Sequence, residues 1–222
     1  MLRRSLWVVA AALFVASLAV PQASAQNIKL GVKGGVNFAD VGGDDVSDTK
    51  NKTGFIAGGF AEFMIGNMFA VQPEVLYSQK GFKIDDPDVD GKLKLDYFEV
   101  PVLLKINVPI EGSKVHPSFY AGPAVSIKSS CKLQGEESGV SFDIDCDSPL
   151  IVDFIGEELP IKSTDFGIVF GGGISFDVGG AEVGVDVRYN LGLTKVVDTD
   201  PQIDAKNRVI SIMGTVGFPV TR

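Results

Sequence analysis

The chain is 222 residues long, rich in Gly (26) and Phe (15), with one Trp, one His and a formal net charge of −8. That length suffices for one domain, and the acidic balance argues against nucleic acid, whose phosphates attract Lys and Arg. Beyond the N-terminus no segment holds the roughly 18 consecutive apolar residues of a transmembrane helix.

The N-terminus reads as an export signal. Arg3 and Arg4 form a positive region, Leu6 to Val20 an apolar one, and Ala23-Ser24-Ala25 a cleavage site. Residues 1–25 are therefore expected to be removed, leaving 26–222 as one domain. No Cys stands directly after the cleavage site, so lipid anchoring is unsupported. The remaining classes are a secreted or periplasmic soluble protein and an outer-membrane barrel. Cys131 and Cys146 are the only cysteines, and in an exported chain they read as one disulfide.

Period-two alternation dominates the rest, the signature of strands with two different faces. Ile28, Leu30, Val32, Val36 and Phe38 alternate with Lys29, Gly31, Lys33, Gly35 and Asn37. After a polar loop, a second strand (53–65) places Phe55, Ala57, Ala61 and Phe63 opposite Glu62. Gly66-Asn67 reads as a two-residue turn. The third strand (68–81) sets Phe69, Val71, Val75 and Tyr77 against Gln72, Glu74, Ser78 and Lys80. An acidic loop (82–92) precedes the fourth (93–107), with Phe98, Val100, Val102, Leu104 and Ile106 opposing Tyr97, Glu99 and Lys105. The fifth (118–128) is followed by the longest insertion, 129–162. The sixth and seventh form a hairpin over 165–193, turning at Gly179-Gly180. Phe166, Ile168, Phe170, Ile174 and Phe176, then Val183, Val185, Val187 and Tyr189, make its apolar faces; small or charged residues, including Asp186 and Arg188, make the other. An eighth strand (207–218) closes the chain.

Connections one, three, five and seven are long, the others shorter. Aromatics of the apolar parity concentrate at strand ends: Phe38, Phe55, Tyr77, Phe98, Phe166 and Tyr189 near the long loops, Phe63, Phe69, Phe119, Phe176 and Phe218 near the short turns. This pattern predicts an all-β fold: an eight-stranded antiparallel up-and-down transmembrane β-barrel with two aromatic girdles, short periplasmic turns and long extracellular loops. Pro73, Pro101 and Pro123 fall inside strands and are expected at bulges or bends, because proline removes a ladder hydrogen bond.

The segments QPEVLYSQKG (72–81), YFEVPVLLK (97–105), FYAGPAV (119–125) and RYNLGLT (188–194) resemble the outer-membrane β-barrel domain family often labelled porin-family or PorT-like. The resemblance covers nearly the whole mature chain. It implies a barrel similar to the OmpA-type transmembrane domain, located in the outer membrane, and it implies no specific activity. The long fifth connection with its two Cys departs from the family pattern.

On the inward parity stand Glu62, Glu74, Glu99, Lys105, Asp186 and Arg188, expected to form a charge network in the lumen. Strands three and seven lie opposite each other in such a barrel, so Arg188 should reach Glu74, with Glu99 as a second acceptor. Strands five and six are expected to extend beyond the membrane around the insertion. No catalytic constellation is evident: His116 sits in a predicted periplasmic turn, away from the partners a triad or metal needs. Asp86, Asp88 and Asp90 match the start of a calcium loop, but Tyr97 stands where the bidentate Glu belongs; Asp143, Asp145 and Asp147 form a second weak acidic comb. No cofactor is called for.

The leading expectation is a non-enzymatic, monomeric barrel with a side-chain-filled lumen, surrounded by outer-membrane lipid and meeting an unidentified extracellular or surface partner through its loops, with a narrow pore left open. The alternatives are a soluble lipocalin-like carrier of a small apolar ligand and a lipid-modifying outer-membrane enzyme.

Overall fold

The computed structural model describes residues 28–42, 49–84, 90–137, 140–146, 148–149, 161–195 and 205–220. The export signal, Asp86, Asp88 and Asp147 lie outside these. Nine strands are present among the described residues: β1 (Ile28–Gly42), β2 (Thr49–Ile65), β3 (Phe69–Ile84), β4 (Asp90–Asn107), β5 (Val115–Glu137), β6 (Val140–Asp145), β7 (Thr164–Val178), β8 (Ala181–Gly192) and β9 (Lys206–Val220). Each pairs antiparallel with its neighbour, β1 pairs with β9, and β5 pairs with both β4 and β7. Eight strands therefore close into a barrel, and β6 is an extra strand that pairs, among the described residues, with β5 alone. No described helix is long and apolar enough to cross a membrane; the strands cross it.

Which face a residue occupies follows its parity throughout the wall. Val32, Val75, Leu104, Phe119, Phe170, Val185 and Ile212 are exposed on the outside, while Glu62, Glu74, Arg188 and Asn37 are buried inside. A soluble carrier would show the reverse. On the outer face Phe55, Tyr77 and Phe98 stack across three strands, with centroids 5.3 and 5.8 Å apart, as part of the girdle next to the long connections. Gly179 and Gly180 both take positive φ, 59° and 91°, which lets two residues reverse the β7–β8 hairpin. The β2–β3 turn has three residues rather than the expected two, because Met68 is outside the strand and its carbonyl accepts from Asn107 N of β4.

The strands run further than the alternation suggested, and unevenly. β3, β4 and β5 rise well past the outer girdle, pairing out to Lys83–Lys92 and Asp90–Glu136, whereas β7 begins only at Thr164. The expectation that the fifth and sixth barrel strands extend together is thus half met. β5 continues, but its partners above the rim are β4 and its own hairpin strand β6 rather than β7. A bulge makes this possible. Tyr97 faces Lys128 and Asp96 faces Ser130, so Ser129 is an extra residue on β5. Above it the inward parity of β5 changes from even to odd, and Cys131 and Leu133 turn inward.

Of the two alternatives for the strand prolines, the bulge is absent at Pro73 and Pro101. Pairing on either side of Pro73 and Pro101 resumes in the same register. They leave short gaps in the ladder rather than bulges; the register shifts lie instead at 51–56 and at Asp96–Tyr97.

Candidate functional site

The lumen is the most elaborated part of the molecule, and it is built in layers. Nearest the short turns, Glu62 of β2 accepts from Lys105 of β4 at 2.7 Å and from Asn107 at 3.1 Å. Lys29 of β1 lies between Glu62, 3.5 Å away, and Glu182 of β8, 2.6 Å away. A polar cavity of about 30 Å³ lies in this layer, bordered by Lys33, Glu62, Lys105, Glu182 and Asp186.

The middle layer centres on Glu74 of β3. Arg188 crosses the lumen from β8 and donates through Nη2 to both carboxylate oxygens, at 2.9 and 3.2 Å. Lys33 of β1 donates to the same carboxylate at 2.7 Å, as does Gln72 at 2.7 Å. All three charged side chains are at most 1% exposed. Asp186 holds the Tyr120 hydroxyl at 2.6 Å, and the Arg188 guanidinium lies over the Tyr120 ring. Gly171 makes room for that ring: a Cβ there would come within 2.7 Å of the Tyr120 oxygen.

Above this comes an apolar belt, with Leu103, Tyr120, Ala124 and Val169 on one side and Ile56, Leu76 and Met213 on the other. Then Lys80 pairs with Glu99 at 2.8 Å and stacks over Tyr97, while Asn37 links Ser78 and Ser211. Asp165 accepts from Asn207 and Thr194, tying β7, β9 and the end of β8 together.

A second, smaller core caps the lumen beyond the rim. Leu93, Leu95, Tyr97, Cys131 and Cys146 are buried together, with Phe82, Leu133 and Ile161 packed on them. Cys131 and Cys146 are joined by a disulfide, which fastens the end of the β6 hairpin to β5. On the outer side of this hairpin Lys132 contacts Asp143 and Asp145 at 3.2 and 3.9 Å. Gln134 donates to Asp143 at 2.9 Å. That hydrogen bond, ahead of the bond from Lys132, holds the Asp143 carboxyl below its ordinary range.

The six residues singled out from the sequence all point into the lumen, but they form separate groups. Glu62 with Lys105, Glu74 with Arg188, and Glu99 alone occupy different layers. Glu99 is not the second acceptor for Arg188; Lys80, nearer on β3, takes it, and the second carboxylate beside Arg188 is Asp186, 3.7 Å from Nε. Lys29, Lys33, Lys80 and Tyr120 complete the groups. Parity alone marked the lysines, since they share the inward face of the first and third predicted strands. His116 pairs with Asp177 at 2.9 Å near the β7–β8 turn, and Ser175 donates to the His116 carbonyl rather than its ring. No described group of His, Cys, Asp and Glu could hold a metal ion; Asp90 opens β4, and its two companions lie outside the described residues.

The profile of the outer membrane protein β-barrel domain matches residues 22–198. The chain belongs to that family. A search of curated proteins finds no match. Among solved structures, this family member is similar to Neisserial surface protein A, at 15% identity and a TM-score of 0.50, covering 89% of this chain and 100% of that one. It is similar also to the outer membrane protein OprG of Pseudomonas aeruginosa, at 13% identity and a TM-score of 0.51, covering 90% and 99%. These likenesses are of fold: a barrel resident in the outer membrane.

Proposed function

We propose that this outer-membrane barrel is a monomeric, non-enzymatic platform with a closed lumen, displaying the β3–β6 extension and the long connections to an extracellular or surface partner. The observation that carries the reading is the continuous filling of the lumen. Two charged layers, an apolar belt, a third charged layer and a disulfide-fastened cap follow one another along the lumen. A barrel of eight strands has an interior that side chains can fill, and here one buried ion pair, Arg188 with Glu74, spans opposite walls. A wall so braced is rigid, which suits display more than transport. The rise of β3, β4 and β5 beyond the girdle gives the platform a surface well clear of the lipid.

The test is electrical. Purified protein in planar bilayers should show no steady conductance above the lipid background, and proteoliposomes should not swell in small sugars. A large, steady conductance from the wild-type protein would replace the platform with a pore.

A further inference from the structure

The β6 hairpin leaves a strand edge open above the membrane. Among the described residues β6 (Val140–Asp145) pairs with β5 alone. The register fixes which backbone groups its other edge presents. Cys146 N donates to Cys131 O at 3.1 Å, so Cys131 and Cys146 form a hydrogen-bonded pair. Such pairs alternate along an antiparallel ladder. Leu133–Ile144 and Gly135–Phe142 are therefore hydrogen-bonded too, and Gln134–Asp143 and Lys132–Asp145 are not. The N–H and C=O of Asp143 and the N–H of Asp145 consequently point away from β5. The Asp145 carbonyl accepts from Ser148 N in the turn that follows. Among the described residues nothing hydrogen-bonds the backbone of Asp143 on that side.

An unpaired edge is a template for another strand, and proteins blunt such edges with proline, lysine or a covering element. VSFDID (140–145) contains neither proline nor lysine. Its aspartates blunt the edge selectively. The Asp143 and Asp145 side chains are 45% and 69% exposed, and Lys132 contacts both, at 3.2 and 3.9 Å. One cation between two carboxylates leaves this face negative. An acidic strand added here would set like charges across from each other, which destabilises a sheet, whereas a basic strand brings opposite charges together.

The other face of β6 is apolar. Phe142 and Ile144, half-buried, share the side of Cys131 and Leu133. An incoming strand of period-two alternation thus meets acid on one face and hydrocarbon on the other. The Cys131–Cys146 disulfide fastens the hairpin to β5, so the edge is ordered before anything binds. A second barrel in the same membrane does not fit. Copies related by an axis along the membrane normal run their β6 strands in the same sense, and a self-complementary antiparallel edge needs a dyad across the strands.

We propose that the free edge of β6 takes an extended basic segment of an extracellular protein as an added strand. Its Lys or Arg side chains stand across from Asp143 and Asp145, and its alternate apolar side chains lie beside Phe142 and Ile144. This rests on the platform reading and names the kind of partner the platform holds.

The full barrel in phosphatidylcholine nanodiscs tests it, by fluorescence anisotropy with three short labelled peptides: lysine alternating with valine, glutamate alternating with valine, and the lysine peptide N-methylated along one hydrogen-bonding edge. Empty nanodiscs are the blank. The lysine peptide should bind, the glutamate peptide should not, and N-methylation should weaken binding at least about tenfold. Bound peptide should slow hydrogen exchange at the Asp143 amide. Asp143→Pro removes the outward N–H and leaves the β5–β6 hydrogen bonds in place; it should cost at least about tenfold. Asp143→Asn with Asp145→Asn should cost about fivefold and flatten the salt dependence. Heat-modifiable gel mobility establishes that each variant is folded. Equal binding of the N-methylated peptide by the wild type, an Asp143→Pro variant within about twofold of wild type, or no binding of the lysine peptide would overturn the proposal. Absent binding beside a silent bilayer removes the edge site alone and leaves the closed platform, so the two failures are told apart.

Discussion

Glu74 holds the middle of the lumen together, and removing it should be the most damaging single truncation there. Its carboxylate receives Lys33 at 2.7 Å, Arg188 at 2.9 and 3.2 Å, and Gln72 at 2.7 Å. In Glu74→Ala both cations stay buried, and the nearest remaining carboxylate to Arg188, Asp186, is already bonded to Tyr120. Removing one partner of a buried pair costs about 3–5 kcal/mol, and here one truncation strands two charges, so about 5 kcal/mol is expected. Arg188→Ala is milder. Glu74 keeps Lys33 and Gln72, Asp186 keeps Tyr120, and two of the guanidinium nitrogens, Nε and Nη1, donate no hydrogen bond to begin with. The expected loss is about 3 kcal/mol, the lower end of the range. In the double variant only Lys33 is stranded, so it should cost no more than Glu74→Ala alone, and the cycle should give a coupling of about 3 kcal/mol, as befits one network. The assay is reversible urea unfolding in lipid vesicles, followed by far-UV circular dichroism and gel mobility, since the chain's one Trp, Trp7, falls within the expected export signal. If Glu74→Ala costs no more than a surface change, about 0.5 kcal/mol, or if the two truncations add without coupling, the lumen charges act independently through water and the network reasoning fails.

Three further expectations follow from the geometry. The Cys131–Cys146 bridge, with a sequence separation of 15, should contribute about 3 kcal/mol to the hairpin in the chain-entropy model; Cys131→Ser with Cys146→Ser should expose the hairpin to protease while barrel mobility on gels is kept, and two free thiols in the unreduced wild type would exclude the bridge. Spin labels at Phe170 and Val185 should be relaxed by oxygen and shielded from aqueous quenchers, and the opposite pattern would turn the barrel inside out. The Asp143 carboxyl, depressed in the folded hairpin, contributes stability above its unfolded pKa that is lost as pH falls through the folded one; Gln134→Leu should raise its NMR titration midpoint, and an unmoved midpoint would remove Gln134 as the cause.

Much of this was legible in the sequence because a membrane wall enforces parity without exception. One face must be apolar along each crossing, so Phe170 and Val185 declare themselves outward, and Glu74 and Arg188 inward, by counting in twos. Opposition of the third and seventh barrel strands then followed from strand order alone. What parity does not carry is height. Glu99 and Arg188 share a face, but the stagger of the strands sets them in different layers, which is why Lys80 rather than Arg188 meets Glu99. The other failures lie above the membrane. There the wall no longer needs lipid-facing residues, and β3 runs on to Ile84 and β4 begins at Asp90, inside the stretch 82–92 that reads as an acidic loop. Nor did anything in SIKSSCKL (126–133) mark the one unpaired serine that shifts β5.

That serine sets a boundary between two solvents. Below Ser129, β5 is an inside-out strand, presenting Phe119 and Ile127 outward to hydrocarbon. Above it the same strand obeys the convention of a soluble protein, with Cys131 and Leu133 in a core and Lys132 and Gln134 facing water. A single inserted residue makes the exchange without breaking the chain's hydrogen-bonded path. Deleting Ser129 would keep the strand and invert its upper half, sending Cys131 out and Lys132 in. The length of the chain at this point, rather than the chemistry of any side chain, decides where the membrane protein ends and the water-soluble one begins.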